Sequence, residues 1–432
     1  MNGKMPKFTP RLEAVSKDKY KIKFLDDSYP GKDMGNKVAC HPIYGVYVIR
    51  DYLFQYKKTG DIKYKQAAEK VTDAAIKRME YYKDSLVFWY KKESVFNSTS
   101  KEYYSALTQA YYTEVFAEMG NLTNNMKYRE AAKGAYNSLK IPVSEGGVFH
   151  NCSMGPSIQE YPMNPNGYVL NGWFSALSSI KKYSEITGDK DAESFWRENL
   201  KTIVKMLSLY DAPHVSNSRY TLNGKAVIKL SAPSINLELQ DISLCVPKEK
   251  SYTLTVDSNK NYANFIERSS VEEKGEKVFT KNYSALLKVL LSRYSYPLEN
   301  EIVIRLMSPK KGKLNFYIAS APYSPTKIRE SQKSPYTLIE TVDLKQGLNE
   351  IKVKLPWKLL KDIGFPTTFK QFGDKWHNVY HFIHINRLEE FYKETKENDL
   401  LYYVTKWKEY VDKWPNMNIY KRLEKGPYGK DK

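Results

Sequence analysis

The stretch Thr59–Ala75, which reads TGDIKYKQAAEKVTDAA, decides the fold class. Its apolar residues recur with the spacing of one helix face, as the following positions do: Tyr64, Ala67, Ala68, Val71 and Ala75. A glycine stands before the stripe, where a turn is expected. The stretch therefore predicts an amphipathic helix that packs against the helix preceding it.

The same turn and stripe return at Asn121, at Asp189 and at Asp399. Counted from Asp61, these returns follow one another after 60, 68 and 210 residues. Repetition of this kind predicts a series of helix hairpins, which we expect to form an α/α toroid. The last interval exceeds one period by roughly 145 residues, so a separate segment interrupts the final repeat.

The interrupting segment has the alternation of half-buried strands rather than the helical period. The alternating runs are Tyr252–Val256, Ile302–Leu306, Leu314–Ile318 and Ile351–Leu355. We predict an antiparallel β-sandwich or barrel of about seven strands over residues 224–375. The expected fold is thus mainly α: residues 1–223 form the first part of the toroid, 224–375 an inserted β domain, and 376–432 the last part.

Composition restricts the function classes. With 68 Lys and Arg against 49 Asp and Glu, the chain carries a formal charge of +19. This charge favours an acidic glycan as partner, since neither a phosphate-binding loop nor a zinc-finger pattern points to nucleic acid; a Lys- and Tyr-rich codon bias is the alternative. Three cysteines without metal-ligand spacing, no membrane-length apolar run and no signal-peptide core together predict a soluble cytoplasmic protein.

Polar and aromatic residues are concentrated in four segments where a helix pair meets its connecting loop. They are YYSALTQ (103–109), QEYP with YVLNGWF (159–162 and 168–174), LYD (209–211) and YHFIHINRL (380–388). In this order, and followed by WKEY (407–410), they resemble the carboxy-terminal catalytic domain of the glucuronyl 5-epimerases. Those enzymes invert D-glucuronate to L-iduronate in heparosan and related polymers. The resemblance covers about residues 40–211 and 380–414.

The resemblance implies an α/α toroid that epimerises a uronate in a polysaccharide or its lipid-linked precursor, without a cofactor. Such a reaction needs two acid/base groups flanking the sugar ring and a cation at its carboxylate. By resemblance, Glu160 and Tyr161 serve one face and Tyr380 serves the other. The further residues implied to bind substrate are Tyr104, Gln109, Asn171, Tyr210, Arg219, Tyr220, His384 and Arg387.

Structural alternatives accompany these assignments. A glutamate before Tyr161-Pro162 is also typical of a turn. Among 36 tyrosines most are packing residues, which applies to Tyr104, Tyr210 and Tyr220 as well. Asn171, inside an apolar helix, fits a hydrogen bond between helices better than a sugar contact.

The cation for the carboxylate is a further open point. The family has an arginine where this chain has Asn223, so Arg219 and Arg387 are the replacements to consider. His377, His381 and His384 have helical spacing that could bind zinc, but the resemblance favours hydrogen-bonding roles without a metal. Two other functions fit the same residues: a uronate polysaccharide lyase and a non-catalytic acidic-glycan-binding protein. A homodimer is left open.

Overall fold

The computed structural model describes residues 5–91, 102–163, 165–249, 251–254, 265–266, 271–274, 277–280, 284–320, 336–361, 363–365 and 375–420. The chain divides into two compact units. Unit 1 comprises residues 1–151, 155–162 and 172–202, and unit 2 comprises 152–154, 163–171 and 203–432. The predicted boundaries at 223/224 and 375/376 both fall inside unit 2, so they stay a prediction.

Unit 1 contains two complete helix hairpins and several short strands. Its helices are α1 (Pro10–Val15), α2 (Tyr44–Thr59), α3 (Ile62–Arg78), α4 (Ala106–Thr123) and α5 (Met126–Ser138). Its strands are β1 (Ile22–Phe24), β2 (Pro30–Asp33), β3 (Val38–Cys40), β4 (Glu80–Tyr82), β5 (Ser85–Val87), β6 (Phe149–Cys152) and β7 (Gly155–Ile158), although β6 ends one residue inside unit 2. Helices α6 (Leu170–Thr187) and α7 (Lys190–Tyr210) belong partly to each unit.

The stretch that predicts the first hairpin folds as expected. Helix α2 ends at Gly60, whose φ of 70° lies in the left-handed region that favours glycine. The Asp61 side chain accepts a hydrogen bond from the Lys63 N–H and caps α3. Ala67, Ala68 and the other predicted core positions of α3 are buried, apart from half-buried Tyr64. The helices predicted after Asn121, Asp189 and Asp399 are likewise present, as α5, α7 and the helix Asn398–Lys413.

Unit 2 contains two large antiparallel sheets and a helix hairpin, α8 (Lys375–Thr395) with α9 (Asn398–Lys413). Strands β8 (Asp211–Ala212) and β9 (Asn217–Ser218) pair with each other. The remaining strands are β10 (Asn223–Ser231), β11 (Glu238–Cys245), β12 (Ser251–Leu254), β13 (Phe265–Ile266), β14 (Val271–Lys274), β15 (Lys277–Thr280), β16 (Ser284–Ser292), β17 (Asn300–Ser308), β18 (Gly312–Ser320), β19 (Thr337–Leu344) and β20 (Gly347–Leu355).

The strands of unit 2 alternate inward and outward residues because their inner faces share one core. One sheet has the order β13-β16-β10-β18-β19, and the other has the order β14-β15-β11-β17-β20 with β12 beside β11. Ile228 of β10 and Phe316 of β18 are fully buried in the same cluster as Ile304 of β17 and Val353 of β20. The inserted segment is therefore an antiparallel two-sheet structure, with more strands than the seven predicted.

The prediction of a mainly α chain is wrong. The described residues contain both helix hairpins and twenty strands, arranged in two large sheets and several small ones. Two causes account for the difference. The β segment contributes more strands than its clearest alternating runs indicate, and β1–β9 are two to four residues long, too short to show a period.

No helix among the described residues is long and apolar enough to cross a membrane.

Candidate functional site

Glu160 follows β7 in unit 1, and its carboxylate lies against the backbone of Gly172 in the first turn of α6. A Cβ atom added at Gly172 would lie 2.7 Å from the Glu160 Cδ atom, closer than real side chains approach. The side chain is half-buried, and its Oε2 atom has essentially no exposed surface and no hydrogen-bond partner among the described residues. Burial raises the pKa of Glu160 from its ordinary 4.5 to about 7. The group is thus poised to gain or lose a proton near neutral pH.

The backbone of Glu160 is held by the start of α4. The Ala106 N–H donates to the Glu160 carbonyl at 3.1 Å. Ser105 caps the same helix end, its Oγ atom accepting a hydrogen bond from the Thr108 N–H at 3.4 Å. The Tyr-Ser-Ala segment and the Glu-Tyr-Pro segment are therefore parts of one local structure.

Three tyrosine rings of unit 1 lie near Glu160. Tyr161 is half-buried, and the centroid of its ring lies 6.3 Å from that of Tyr103 in an edge-on contact. Tyr103 stacks on Tyr90 at 5.1 Å with ring planes 5° apart. Burial raises the pKa of the Tyr90 phenol, and the nearby Tyr103 and Glu160 raise it further, so this hydroxyl stays protonated.

Tyr104 and Gln109 have structural surroundings. The Tyr104 hydroxyl donates to the Ser138 carbonyl at 2.8 Å. The Gln109 amide donates to the Leu86 carbonyl at 2.7 Å and its oxygen accepts the Phe88 N–H at 2.9 Å. Both side chains are fully buried, so a substrate contact would require these bonds to break, and we do not carry either residue into the proposal below.

In unit 2, Tyr380 on α8 pairs with Tyr220. Their ring centroids lie 4.7 Å apart with the planes at 60°, and both side chains are half-buried. The Tyr220 backbone is fixed on both sides, because its N–H donates to the Gly364 carbonyl and its carbonyl accepts the Leu170 N–H, each at 2.9 Å. Tyr380 therefore stands beside a rigidly held partner.

Both arginines considered for the uronate carboxylate make contacts within the protein. Arg219 is almost fully buried, donates to the Ile363 carbonyl at 2.5 Å and lies 5.1 Å from the Phe365 ring centroid. Arg387 forms an exposed ion pair with Glu390 at 2.5 Å. At the position of the family's arginine, the Asn223 amide donates to the Pro165 carbonyl at 3.0 Å. That position therefore supports a loop rather than supplying a charge.

Two further predicted side chains in unit 2 differ in their hydrogen bonding. The Tyr210 hydroxyl is buried and donates to the Tyr168 carbonyl at 2.7 Å. The Asn171 Oδ1 atom has essentially no exposed surface and no hydrogen-bond partner among the described residues. Tyr210 is thus a packing residue, whereas the role of Asn171 stays a prediction.

His381 and His384 converge on Ser218. The Ser218 Oγ atom lies 2.8 Å from the His381 Nδ1 atom and 2.7 Å from the His384 Nδ1 atom. The Ser218 N–H also donates to His381 Nδ1 at 3.0 Å, so the His381 proton is on Nε2, 3.0 Å from the Trp407 carbonyl. Burial lowers the pKa of His381 to about 4, which keeps the ring neutral.

The zinc alternative has no support among the described side chains, where no three His, Cys, Asp or Glu residues are grouped to hold a metal ion. The side chain of His377 lies outside the described residues.

Part of the chain is similar to a known protein family. Residues 77–238, which include Glu160, Gly172 and Tyr220, match the family model described as the D-glucuronyl C5-epimerase C-terminus. Over these residues the chain is similar to the D-glucuronyl C5-epimerase family. Tyr380, His384 and Arg387 lie outside the matched segment, so their roles stay predictions.

Two relatives align with parts of the chain. An uncharacterized protein of Methanocaldococcus jannaschii is 32% identical over 132 residues, which is 29% of this chain and 42% of the relative. The D-glucuronyl C5-epimerase of Caenorhabditis elegans is 25% identical over 121 residues, which is 25% of this chain and 20% of that enzyme. The chain thus aligns with less than half the length of each relative.

Solved structures give weaker likenesses. An α-1,6-mannanase from Salegentibacter has a TM-score of 0.35 and 14% identity, over 48% of this chain and 54% of the other. An endoglucanase from Komagataeibacter sucrofermentans has a TM-score of 0.35 and 16% identity, over 48% and 60%. The toroid therefore stays a prediction.

The Leu-Tyr-Asp motif at the end of α7 is a structural anchor in unit 2. The Asp211 carboxylate accepts hydrogen bonds from the Trp407 indole at 3.1 Å and the Tyr410 hydroxyl at 3.0 Å, and pairs with Lys406 at 2.7 Å. These contacts connect the Leu-Tyr-Asp motif to helix α9.

Sequence reasoning missed the contact between Glu160 and Gly172 and the position of Tyr90 near Glu160. A signal for the first existed, because a glycine inside a helix costs about 1 kcal/mol relative to alanine and so suggests a close approach. Nothing in the spacing distinguishes Tyr90 from the other tyrosines.

Proposed function

We propose that the chain is an epimerase that inverts carbon 5 of a uronic acid residue, of the D-glucuronate to L-iduronate type, in a polysaccharide or its precursor. The single observation that carries the proposal is the Glu160 carboxylate, which is seated on Gly172 and lacks a described partner at Oε2. A structural carboxylate in a protein of this charge would be expected to have a cationic partner. Similarity to the epimerase family supports the same assignment.

The chemistry suits the reaction. The carbon 5 proton lies beside the sugar carboxylate, which delocalises the electron pair left when the proton is removed. Glu160 takes that proton and becomes a neutral acid, and a second group donates a proton to the opposite face of the same carbon. With a pKa of about 7, Glu160 serves as base for one epimer and as acid for the other.

Tyr380 is our proposal for the second group. An ordinary phenol has a pKa of about 10 and therefore holds a proton to donate at neutral pH. Its half-buried hydroxyl-bearing ring beside the fixed Tyr220 suits a positioned donor. When the reaction runs in reverse, the resulting phenolate accepts the proton, so the two groups exchange roles.

The test is incubation with glucuronate-containing polymers in deuterated water, followed by NMR at carbon 5. The epimerase predicts deuterium at that carbon and a changed configuration without chain cleavage. An unsaturated, ultraviolet-absorbing product would instead identify a lyase, and tight binding without either signal would identify a glycan-binding protein.

The role of Tyr380 is tested separately by Tyr380→Phe, with Tyr392→Phe as a control on the same helix. Loss of inversion, with exchange retained from the epimer that uses Glu160 as base, is expected for Tyr380→Phe alone. Wild-type inversion in both directions would exclude Tyr380.

A further inference from the structure

Beyond Glu160, aromatic rings continue through unit 1 in an unbroken series of contacts. We call this series the aromatic strip; its members are Tyr161, Tyr103, Tyr90, His41, Tyr44, Tyr20 and Tyr47. The ring centroid of Tyr90 lies 5.9 Å from that of His41, and the His41 centroid lies 4.2 Å from that of Tyr44. The centroids of Tyr44 and Tyr20 are 5.4 Å apart. Tyr20 stacks on Tyr47 at 5.1 Å with planes 12° apart. The strip thus links the catalytic glutamate to the π-helical turn Ser16–Tyr20.

The strip is neither a closed core nor a freely exposed surface. Tyr90, His41 and Tyr44 are buried, whereas Tyr161, Tyr103, Tyr20 and Tyr47 are half-buried. The buried rings hold the others in place: the Tyr44 hydroxyl donates to the Tyr20 carbonyl at 3.0 Å, and the Tyr90 hydroxyl bonds with the Thr108 hydroxyl at 2.8 Å. Rings that are partly accessible but held rigidly lose little entropy when they bind a ligand.

Two lysines lie at the far end of the strip. The Lys19 ammonium is 5.9 Å from the Tyr20 ring centroid. Lys32 is half-buried on β2 and pairs with Ala39 of β3. Ala39 lies two residues before His41 along the chain. Lys32 is near enough to Lys19 and to His41 to act on both electrostatically, lowering the pKa of each in addition to the larger effect of burial. The neighbouring Asp18 acts on Lys19 in the opposite sense and raises its pKa, and a further bound anion would stabilise both lysine charges.

We propose that the aromatic strip binds the sugars on one side of the reacting uronate, with Lys19 and Lys32 receiving the carboxylate of another uronate in the same chain. Sugar rings present C–H faces to aromatic rings and hydroxyls to the phenolic edges, which matches half-buried tyrosines. A carboxylate is the anion that a uronate polymer supplies. Residues 5–50, which provide the distal part of the strip, lie outside the matched epimerase segment. The inference rests on the proposed function for the position of the reacting sugar.

The test measures binding of a size series of oligosaccharides alternating glucuronate and N-acetylglucosamine, from two to ten residues, to the full chain. Tyr20→Leu and Tyr47→Leu remove distal rings, and Lys32→Gln removes a charge. Tyr81→Leu is the aromatic control, since Tyr81 is 86% exposed, and Lys70→Gln is the charge control on the exposed side of α3. Thermal unfolding of each variant checks that the fold is kept.

We expect the strip variants to weaken binding of the long oligosaccharides by about three- to tenfold each, while leaving the disaccharide and both controls unchanged. The Lys32→Gln variant should also lose part of the salt dependence of binding. Equal affinity of the strip variants and wild type for every length would overturn the strip. A uniform loss for all lengths, disaccharide included, would also overturn it, because the effect would then lie at the reacting sugar.

The deuterium experiment on wild type separates this inference from the proposed function. Length-dependent binding through the strip without exchange at carbon 5 would support the strip and refute the epimerase. Exchange at carbon 5, together with strip variants whose affinity loss does not depend on oligosaccharide length, would support the epimerase and refute the strip.

Discussion

Two glutamates of unit 1, the buried Glu114 and the half-buried Glu160, have carboxylates with opposite surroundings. Glu114 in α4 is paired with Arg50, hydrogen-bonded to Ser179 and 3.1 Å from Lys182. Burial acts to raise its pKa, but these partners outweigh burial and the pKa is lowered. Glu160 has no such partner at Oε2 among the described residues, and burial raises its pKa to about 7. A buried carboxylate is therefore structural where cations neutralise it and available for proton transfer where they do not.

The largest expected effect follows from removing the unpaired acid. Glu160→Gln keeps the shape of the side chain but cannot exchange a proton, so turnover should fall by about 10²–10⁴. The measurement is the rate of deuterium incorporation at carbon 5. Glu118→Gln, in α4 and 3.7 Å from Lys57, is the control and should keep wild-type turnover.

The seat of Glu160 gives the next effect. Gly172→Ala places a methyl group against the carboxylate, which must move, so we expect turnover to fall by about 10- to 100-fold. Gly120→Ala in α4 is the matched control for a crowded helical glycine, because its nearest atoms belong to Arg129, with Cγ at 2.7 Å and the backbone nitrogen at 3.2 Å, and not to Glu160. Equal activity of Gly172→Ala and wild type would show that the position of Glu160 does not matter.

Substitution of the paired acid should affect folding instead. Glu114→Gln leaves Arg50 and Lys182 without their carboxylate, so we expect a loss of about 1–3 kcal/mol in the free energy of unfolding. Glu118→Gln, whose ion-pair partner Lys57 is largely exposed, should lose under about 1 kcal/mol. Denaturant unfolding measures both, and equal losses would contradict the structural role of Glu114.

The pH dependence of stability should have opposite signs for the two acids. The folded pKa of Glu160 is raised, so the folded chain holds the extra proton between pH 4.5 and about 7 and loses stability as pH rises through that window. The folded pKa of Glu114 is lowered, so its contribution is present at neutral pH and is lost on acidification.

Consequently Glu160→Gln should be more stable than wild type at pH 8, by about 1–3 kcal/mol, and equal to it near pH 4. Glu114→Gln should be less stable at pH 8 and approach wild type in acid. Unfolding curves at both values check this, and a parallel pH dependence of the two variants would remove the contrast.

No effect is expected from chelation. The carbon 5 proton is already activated by the neighbouring carboxylate, so activity should survive EDTA and dialysis. Loss of turnover that zinc restores would require a metal site.

The contrast between the two glutamates also shows how far the sequence can be interpreted. The helix after Gly60 depends on local spacing, so the sequence alone predicts it. The contact of Glu160 with Gly172 depends on a loop returning to a helix, and its consequence for the pKa depends on which atoms surround Oε2. Neither quantity is encoded in residue spacing.

The histidines illustrate the same limit. Their helical spacing is compatible with zinc. His381 and His384 instead form hydrogen bonds with Ser218, which lies more than 160 residues earlier in the chain. Short strands such as β8 and β9, which bring Ser218 to that position, have no period to detect. The fraction of strand was underestimated for the same reason.

The central claim, that Glu160 exchanges the carbon 5 proton of a uronate, is tested most directly by the rate of deuterium incorporation at that carbon from pH 5 to 9, starting from each epimer. With the epimer that uses Glu160 as base, the account predicts a rate that rises with pH through an apparent pKa of about 7 and is lost in Glu160→Gln. An unchanged rate and pH profile in Glu160→Gln for both epimers would contradict it.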